Sequence, residues 1–363
     1  MDFVSAHQLT PDEKSSEEAA AAAAPSVTSD PPVSFARLRS IDMLRGLAAS
    51  LVALRHAADE PFLIGAIGVD IFFVISGFVM AKVSVGRTAG EFLIDRAWRI
   101  FPIYWVALAI CVMFRLVHGQ GVTAYDSVGS LLLAPNWFAF GVLYLGIAWT
   151  LLYELFFYSA VAMTIVLRSW RVPLLLFVAA LAIRPFADNA LVKFAGSPIM
   201  IEFLFGMLIA VAPQNRRIGA ALIAAAILFL ACFPNSWLSD YRVAMDYEPA
   251  FLRVALWGLP AAMIVYGALA FEESLKGRLV NALLVLGAAS YSIYLFHMTV
   301  IKMVVPGRPI AGFVMSILVG VAMWWLVERR LLAMRRRRQP AALRPSWFAS
   351  SALKVTASQR LRR

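Results

Sequence analysis

Long apolar runs dominate this sequence and leave few folds open to it. A helix needs about 20 apolar residues to cross a bilayer core, and in hydrocarbon it satisfies its own backbone hydrogen bonds. The sequence therefore predicts an all-α integral membrane protein with about ten transmembrane helices, over residues 41–57, 66–83, 100–117, 147–167, 172–187, 197–213, 218–234, 250–271, 279–302 and 309–327.

The composition excludes several other classes of protein. Of the 363 residues, 61% are hydrophobic and 15% are charged, whereas a soluble chain is about half apolar and a quarter charged. A soluble enzyme, a nucleic-acid module and a disordered scaffold are therefore not expected. The net charge of +11 does not predict nucleic-acid binding, because most basic residues flank the apolar runs or follow the last one. Such residues face the membrane lipids of the cytoplasmic leaflet.

The distribution of charges predicts the domain organisation and the orientation. Residues 1–36 hold no apolar run and are expected to be a disordered cytoplasmic tail. Residues 37–332 form the membrane domain, and residues 333–363 form a basic cytoplasmic tail. Basic and non-basic connections alternate along the membrane domain, which places both termini in the cytoplasm.

Two smaller features give weaker expectations. The apolar run 128–142 is interrupted by Pro135 and predicts a re-entrant or interfacial segment. Cys111 and Cys232 lie inside apolar runs without metal-ligand spacing, so we expect buried, unreactive thiols and no metal site.

The first predicted helix carries two ionisable side chains on one face. Arg45 and His56 are eleven residues apart, which is three turns plus about 20°, and about 16 Å along the axis. Arg45 then lies near the cytoplasm and His56 near the outside. Interfacial anchoring is the alternative for both, but imidazole is a poor anchor and a good proton acceptor.

Two acidic side chains fall at the predicted depth of His56. Asp70 opens the second helix and could orient the imidazole, although a carboxylate favoured by the helix dipole is the alternative. Glu154 lies in the outer third of the fourth helix, without a basic neighbour in sequence. Both are candidate catalytic residues, because ionisable groups at membrane depth are costly.

Two further groups of residues complete the candidate site. Arg96 and Arg99 share a helix face at the inner surface, where guanidinium groups bind phosphate or merely anchor the helix. Ser290, Tyr294 and His297 follow i, i+4, i+7 spacing on the ninth predicted helix, with His297 toward the outside.

Taken together, these motifs resemble the membrane-bound acyltransferase family 3, and in particular its exopolysaccharide-acetylating branch. The resemblance covers residues 37–330 in family order. It rests on the Arg-x10-His of the first helix, the basic pair before Pro102, and the runs Gly68-Val69-Asp70-Ile71-Phe72-Phe73-Val74-Ile75-Ser76-Gly77-Phe78, Trp149-Thr150-Leu151-Leu152-Tyr153-Glu154 and Ser290-Tyr291-Ser292-Ile293-Tyr294-Leu295-Phe296-His297.

The resemblance implies an O-acyltransferase of the bacterial inner membrane. Its donor would be acyl-CoA, with acetyl-CoA expected, and its acceptor a carbohydrate hydroxyl of an exopolysaccharide or its lipid-linked precursor. Polysaccharide-assembly proteins are the expected protein partners. Arg45, Arg96 and Arg99 would bind the donor, while His56, with Asp70 and Glu154, would be catalytic.

Tyr294, Ser290 and His297 would then contact the substrate or the oxyanion. A secondary transporter or a flippase for a glycan or small metabolite is the alternative, although the sequence shows no internal repeat of the kind that transporters have.

Overall fold

A computed structural model describes residues 38–58, 62–134, 143–233, 238 and 247–338. The predictions for the N-terminal tail, the residues after 338 and the second half of the 128–142 segment lie outside these residues. All the regular structure in the described ranges is helical. Fourteen α-helices occur there: α1 (Arg39–Ala57), α2 (Ile67–Val83), α3 (Ala89–Val117), α4 (Ala124–Leu132), α5 (Trp149–Leu167), α6 (Arg171–Ile183), α7 (Ala190–Ala195), α8 (Met200–Val211), α9 (Arg216–Cys232), α10 (Tyr247–Arg253), α11 (Leu259–Ala270), α12 (Arg278–Thr299), α13 (Pro309–Met323) and α14 (Arg329–Arg338).

Each of the ten predicted segments is helical over most of its length, but not all ten meet the requirements for a membrane span. Helix α1 contains several charged residues, and α6 and α9 are short. Within the described ranges, seven stretches are long and apolar enough to cross a bilayer: Ile64–Val83, Ala89–Val117, Gly146–Leu167, Ala190–Val211, Pro249–Ala270, Arg278–Val304 and Pro309–Arg335.

Several helix ends differ from the prediction. Helix α3 begins at Ala89 rather than at residue 100, because Thr88 and Glu91 form a capping box that starts it early. The last apolar segment continues as helix to Arg338, beyond the predicted start of the basic tail. Helix α7 lies in the connection that was predicted between the segments 172–187 and 197–213, and α8 begins at Met200 rather than at residue 197.

Helices α1 and α12 pack closely and run parallel. A Cβ atom built on Gly287 would lie 1.9 Å from the Asp42 carbonyl oxygen, so the two backbones touch where only glycine fits. Further along both helices, Arg45 contacts Ser290 and His56 contacts His297. The residue numbers of these contacts increase together along the two helices, so α1 and α12 run in the same direction. The flanking charges predict the same common direction for these helices.

A second close approach holds α2 against α8. Cβ atoms on Gly77 and Gly206 would lie 1.9 Å from the carbonyl oxygens of Phe203 and Val74 respectively. The N-terminal end of α1 is fixed separately, because the Glu272 carboxylate accepts hydrogen bonds from the first two amides of that helix, at 2.6 and 2.8 Å. These contacts set the positions of α1, which carries Arg45 and His56, and of α2, which carries Asp70.

Candidate active site

A cavity lies among helices α1, α2, α3, α5 and α12. The space inside it that can hold water-sized molecules is about 100 Å³. Its wall on α2 extends from Val69 to Met80, eleven residues or about 16 Å along a helix. The cavity is therefore long in the direction of the helices, with a wall on α2 that is apolar except for Ser76 and with polar groups on each of the other four helices.

The three arginines predicted to bind the donor all line this cavity. Arg45 reaches it from α1, and Arg96 and Arg99 reach it from α3. Glu154 is the carboxylate in the wall, so three guanidinium groups face one negative charge. This excess of positive charge suits an anionic ligand.

Neighbouring side chains hold these arginines in different ways. Arg45 Nε donates to Ser290 Oγ at 3.3 Å, and Arg99 Nη1 lies 3.8 Å from Glu328 Oε1. The Nε of Arg96 is buried without a hydrogen-bond partner among the described residues. An unsatisfied buried donor is costly, so Arg96 is the arginine best placed to gain from a bound anion.

Glu154 lies with the arginines rather than with His56. Its Oε1 accepts hydrogen bonds from Ser76 Oγ at 3.0 Å and Tyr158 Oη at 2.6 Å. Glu154 was predicted to lie at the level of His56, but in the structure it lines the wall of the cavity. Ser290 is likewise fully buried and supports Arg45, instead of lying beside the histidines.

Tyr294 stands between the cavity and the predicted base. Its ring lines the cavity, and its hydroxyl is 2.8 Å from Thr150 Oγ1 and 3.2 Å from the Ile147 carbonyl oxygen. On its other side, the ring centroid lies 5.8 Å from that of His297. Tyr294 thus connects the cavity to the histidines.

His56 and His297 form a direct pair. His297 Nε2 lies 3.2 Å from His56 Nδ1. His297 Nδ1 lies 2.6 Å from the Tyr294 carbonyl oxygen, and His56 Nδ1 lies 2.9 Å from the Val52 carbonyl oxygen. His297 is fully buried, while His56 is partly exposed.

These distances assign the tautomers of both rings. A carbonyl oxygen only accepts, so His297 carries its proton on Nδ1 and its Nε2 is an acceptor. His56 Nδ1 then carries a proton, which it shares between the Val52 carbonyl and His297 Nε2. The free lone pair of neutral His56 is therefore on Nε2, the atom that can accept a proton from a substrate.

Asp70 has a different partner from the one predicted. Both of its carboxylate oxygens accept hydrogen bonds from Arg253, Nε to Oδ1 at 2.9 Å and Nη2 to Oδ2 at 2.7 Å. Arg253 also donates to the Leu238 carbonyl and lies over the Trp257 ring. The predicted pairing of Asp70 with His56 is thus replaced by a buried ion pair, because Asp70 faces α10 rather than α1.

Arg253 and Glu202, both buried, were not among the predicted site residues, and one cysteine is not buried as predicted. Both ionisable residues lie inside predicted spans, which is the signal that should have identified them. Cys111 is buried, as predicted, but Cys232 is exposed. Helix α9 buries little more than Gly219 and Ala226, so its other faces, including Cys232, remain uncovered.

Comparisons with known proteins identify the family of this chain. The acyltransferase domain that defines acyltransferase family 3 matches residues 38–339. The exopolysaccharide production protein ExoZ of Rhizobium meliloti (strain 1021) is 32% identical over 317 residues, which cover 80% of this chain and 97% of ExoZ. No solved structure matches.

Two more distant relatives are named as acyltransferases. The acyltransferase MdmB of Streptomyces mycarofaciens is 25% identical, over 90% of this chain and 99% of MdmB. The peptidoglycan O-acetyltransferase OatA of Listeria monocytogenes is 25% identical over 74% of this chain, which spans half of OatA. The chain therefore belongs to acyltransferase family 3 and is a multi-pass membrane acyltransferase.

Proposed function

We propose that this acyltransferase moves an acetyl group from acetyl-CoA to a hydroxyl group of a carbohydrate, an exopolysaccharide or its lipid-linked precursor. One observation carries the proposal: a long cavity is lined by three arginines and by Tyr294, whose backbone carbonyl accepts a hydrogen bond from His297 of the histidine pair. The names of ExoZ and OatA, which refer to exopolysaccharide production and peptidoglycan O-acetylation, support a polysaccharide acceptor.

The donor would enter from the cytoplasm. Its phosphates would bind Arg96, Arg99 and Arg45, since guanidinium groups form paired, charge-assisted hydrogen bonds with phosphate oxygens. The pantetheine arm would follow the apolar wall of α2 and bring the thioester to Tyr294. Transfer then requires the Tyr294 ring to move aside, so that the thioester meets the partly exposed face of His56.

The chemical step needs one base and no covalent enzyme intermediate. His56 Nε2 takes the proton of the acceptor hydroxyl, whose oxygen attacks the thioester carbonyl. The C–O bond forms, the C–S bond breaks, and the proton passes from His56 to the departing thiolate. The Tyr294 hydroxyl, released from Thr150 and the Ile147 carbonyl when the ring moves, would donate to the oxyanion.

The same proposal fixes the arrangement in the bacterial inner membrane. We place ten helices across the bilayer with both termini in the cytoplasm, so that the arginines open inward and His56 opens outward. Polysaccharide-assembly proteins would present or remove the acceptor on the outer side. Glu154 would hold the polar wall of the donor cavity through Ser76 and Tyr158 rather than exchange protons with the acceptor.

Transfer of labelled acetyl groups by the purified protein tests the proposal. Protein in lipid nanodiscs is incubated with radiolabelled acetyl-CoA and exopolysaccharide fragments, with peptidoglycan fragments as a second acceptor. We expect label on the exopolysaccharide and one free thiol per acetyl group transferred. His56→Ala should lower the rate at least about 100-fold, while His118→Ala, on an exposed helix end, should not change it. A His56→Ala protein that keeps a tenth of the rate would contradict the assignment.

A further inference from the structure

His297 is fully buried, yet both of its ring nitrogens have partners. Nδ1 donates to the Tyr294 carbonyl, which fixes the ring and leaves the Nε2 lone pair directed at His56 Nδ1, 3.2 Å away. A buried imidazole that only filled space in α12 would need no such alignment with another helix. The alignment joins α12 to the one side chain that the proposed reaction uses as a base.

The geometry points to His297 as the positioning residue of the acyl transfer, a neutral imidazole that orients His56 in the place where a carboxylate is usual. This inference rests on the proposed function, since it assigns His297 to the base of that reaction. It also replaces the expectation that His297 contacts the substrate or the oxyanion.

A neutral partner has a chemical advantage at membrane depth. A carboxylate beside His56 would favour the imidazolium form, which cannot accept a proton. The His297 Nε2 lone pair instead accepts the Nδ1–H of neutral His56 and keeps the His56 Nε2 free. When His56 takes the hydroxyl proton, its Nδ1–H points at two acceptors, His297 Nε2 and the Val52 carbonyl, and both stabilise the transient cation.

The balance of the reaction is unchanged by this role. The proton moves from the acceptor oxygen to His56 Nε2 and then to the thiolate sulfur of CoA. His297 gains and loses no proton overall, and it forms no bond to the acyl group. It acts only through His56.

Two nearly isosteric substitutions separate this role from a structural one. In His297→Gln the amide lies near the former Nε2 position, where its oxygen can accept the His56 Nδ1–H. In His297→Asn the amide lies near the former Nδ1 position, where it can donate to the Tyr294 carbonyl but not reach His56. The first variant keeps the bond to the base, and the second keeps the bond within α12.

We therefore expect opposite outcomes for the two variants. His297→Gln should keep the rate of acetyl transfer within about tenfold of the wild type, whereas His297→Asn should lose at least about 100-fold. The KM for acetyl-CoA should stay within about twofold in both, because the arginines are untouched. Equal activity of the two variants, or better activity of the Asn variant, would overturn the inference.

A spectroscopic measurement tests the pair in the wild-type protein without reference to activity. The chain has four histidines, so selective 15N-histidine labelling gives a simple spectrum. A scalar coupling between two 15N nuclei across the N–H···N hydrogen bond should be seen, and it should vanish in His56→Ala and in His297→Gln. Absence of the coupling in the wild type would refute the pair even if acetyl transfer were established. A coupling without acyl transfer from any CoA thioester would instead refute the proposed function.

Discussion

Arg253 donates two parallel hydrogen bonds to the carboxylate of Asp70. Both side chains are almost completely excluded from solvent, at 2% and 0% exposure. Removing one partner of such a pair leaves an uncompensated buried charge, which costs about 3–5 kcal/mol. The pair joins the start of α2 to the end of α10. We therefore expect Asp70 to act as a structural residue rather than in proton transfer.

Asp70→Asn should therefore lower stability far more than it lowers the intrinsic rate. We expect the purified variant to lose its monodisperse state on heating at a temperature well below that of the wild type. The folded fraction should transfer acetyl groups within about threefold of the wild-type rate. The control is Glu273→Gln, which removes an ion pair to Arg216 that is largely exposed and worth about 0–1 kcal/mol. A stable Asp70→Asn protein without activity would contradict the structural role and would indicate that Asp70 is a catalytic residue.

The difference between the two acidic residues and the two histidines shows what the sequence can and cannot predict. Position along an apolar run gives the depth of a side chain, and this correctly placed His56 and His297 at one level. Which side chains meet at that level depends on how the helices are rotated and packed. Asp70 was expected at the same depth, but it faces α10, and Arg253, its partner, is 183 residues away.

The common level of the three cavity arginines was predictable for a related reason. Arg45 lies near the start of the first predicted helix, and Arg96 and Arg99 lie just before the start of the third, so a common inner level follows from the charge pattern alone. Their convergence on one cavity depends on the close crossing of α1 and α12 and on the early start of α3. The close packing of α1 on α12 comes from glycine positions without a simple periodicity. The early start of α3 comes from a capping box that was not predicted.

The arginines of the cavity should act on the nucleotide part of the donor. Arg96→Ala should raise the KM for acetyl-CoA by at least about tenfold, since a hydrogen bond to a charged group is worth about 1.5–3 kcal/mol. The same variant should use S-acetyl-pantetheine, which lacks the nucleotide, as well as the wild type does. Arg216→Ala, outside the cavity, serves as the control for the loss of a basic residue. If Arg96→Ala and the wild type prefer acetyl-CoA to the truncated donor by the same factor, Arg96 is only a membrane anchor.

The contact of α1 with α12 should tolerate no added atom at Gly287. The Cβ of Gly287→Ala would lie 1.9 Å from the Asp42 carbonyl, so the helices must separate. Separation would pull Arg45 from Ser290 and His56 from His297, and overpacking of this kind costs about 1–3 kcal/mol. Steady-state kinetics should show a lower kcat together with a higher KM for acetyl-CoA.

Gly90→Ala is the matched control for this substitution. Gly90 lies in the first turn of α3, and nothing lies within 4 Å of its added Cβ. Alanine also favours helix over glycine by about 1 kcal/mol, so this variant should be at least as stable as the wild type. Wild-type kinetics for Gly287→Ala would show that the packing of α1 on α12 does not set the site.

The orientation of the site across the membrane can be tested by cysteine labelling. The exposed Cys232 is first replaced by serine, and single cysteines are then introduced. Because α1 and α12 run parallel, the residues after both helices should lie on the same side. Asp59→Cys and Arg308→Cys should therefore react with a membrane-impermeant thiol reagent in intact cells, while Arg87→Cys and Arg216→Cys should react only after permeabilisation. The reverse pattern would direct the arginine cavity outward, where cytoplasmic acetyl-CoA cannot reach it, and would exclude transfer from a cytoplasmic donor even if the purified protein were active.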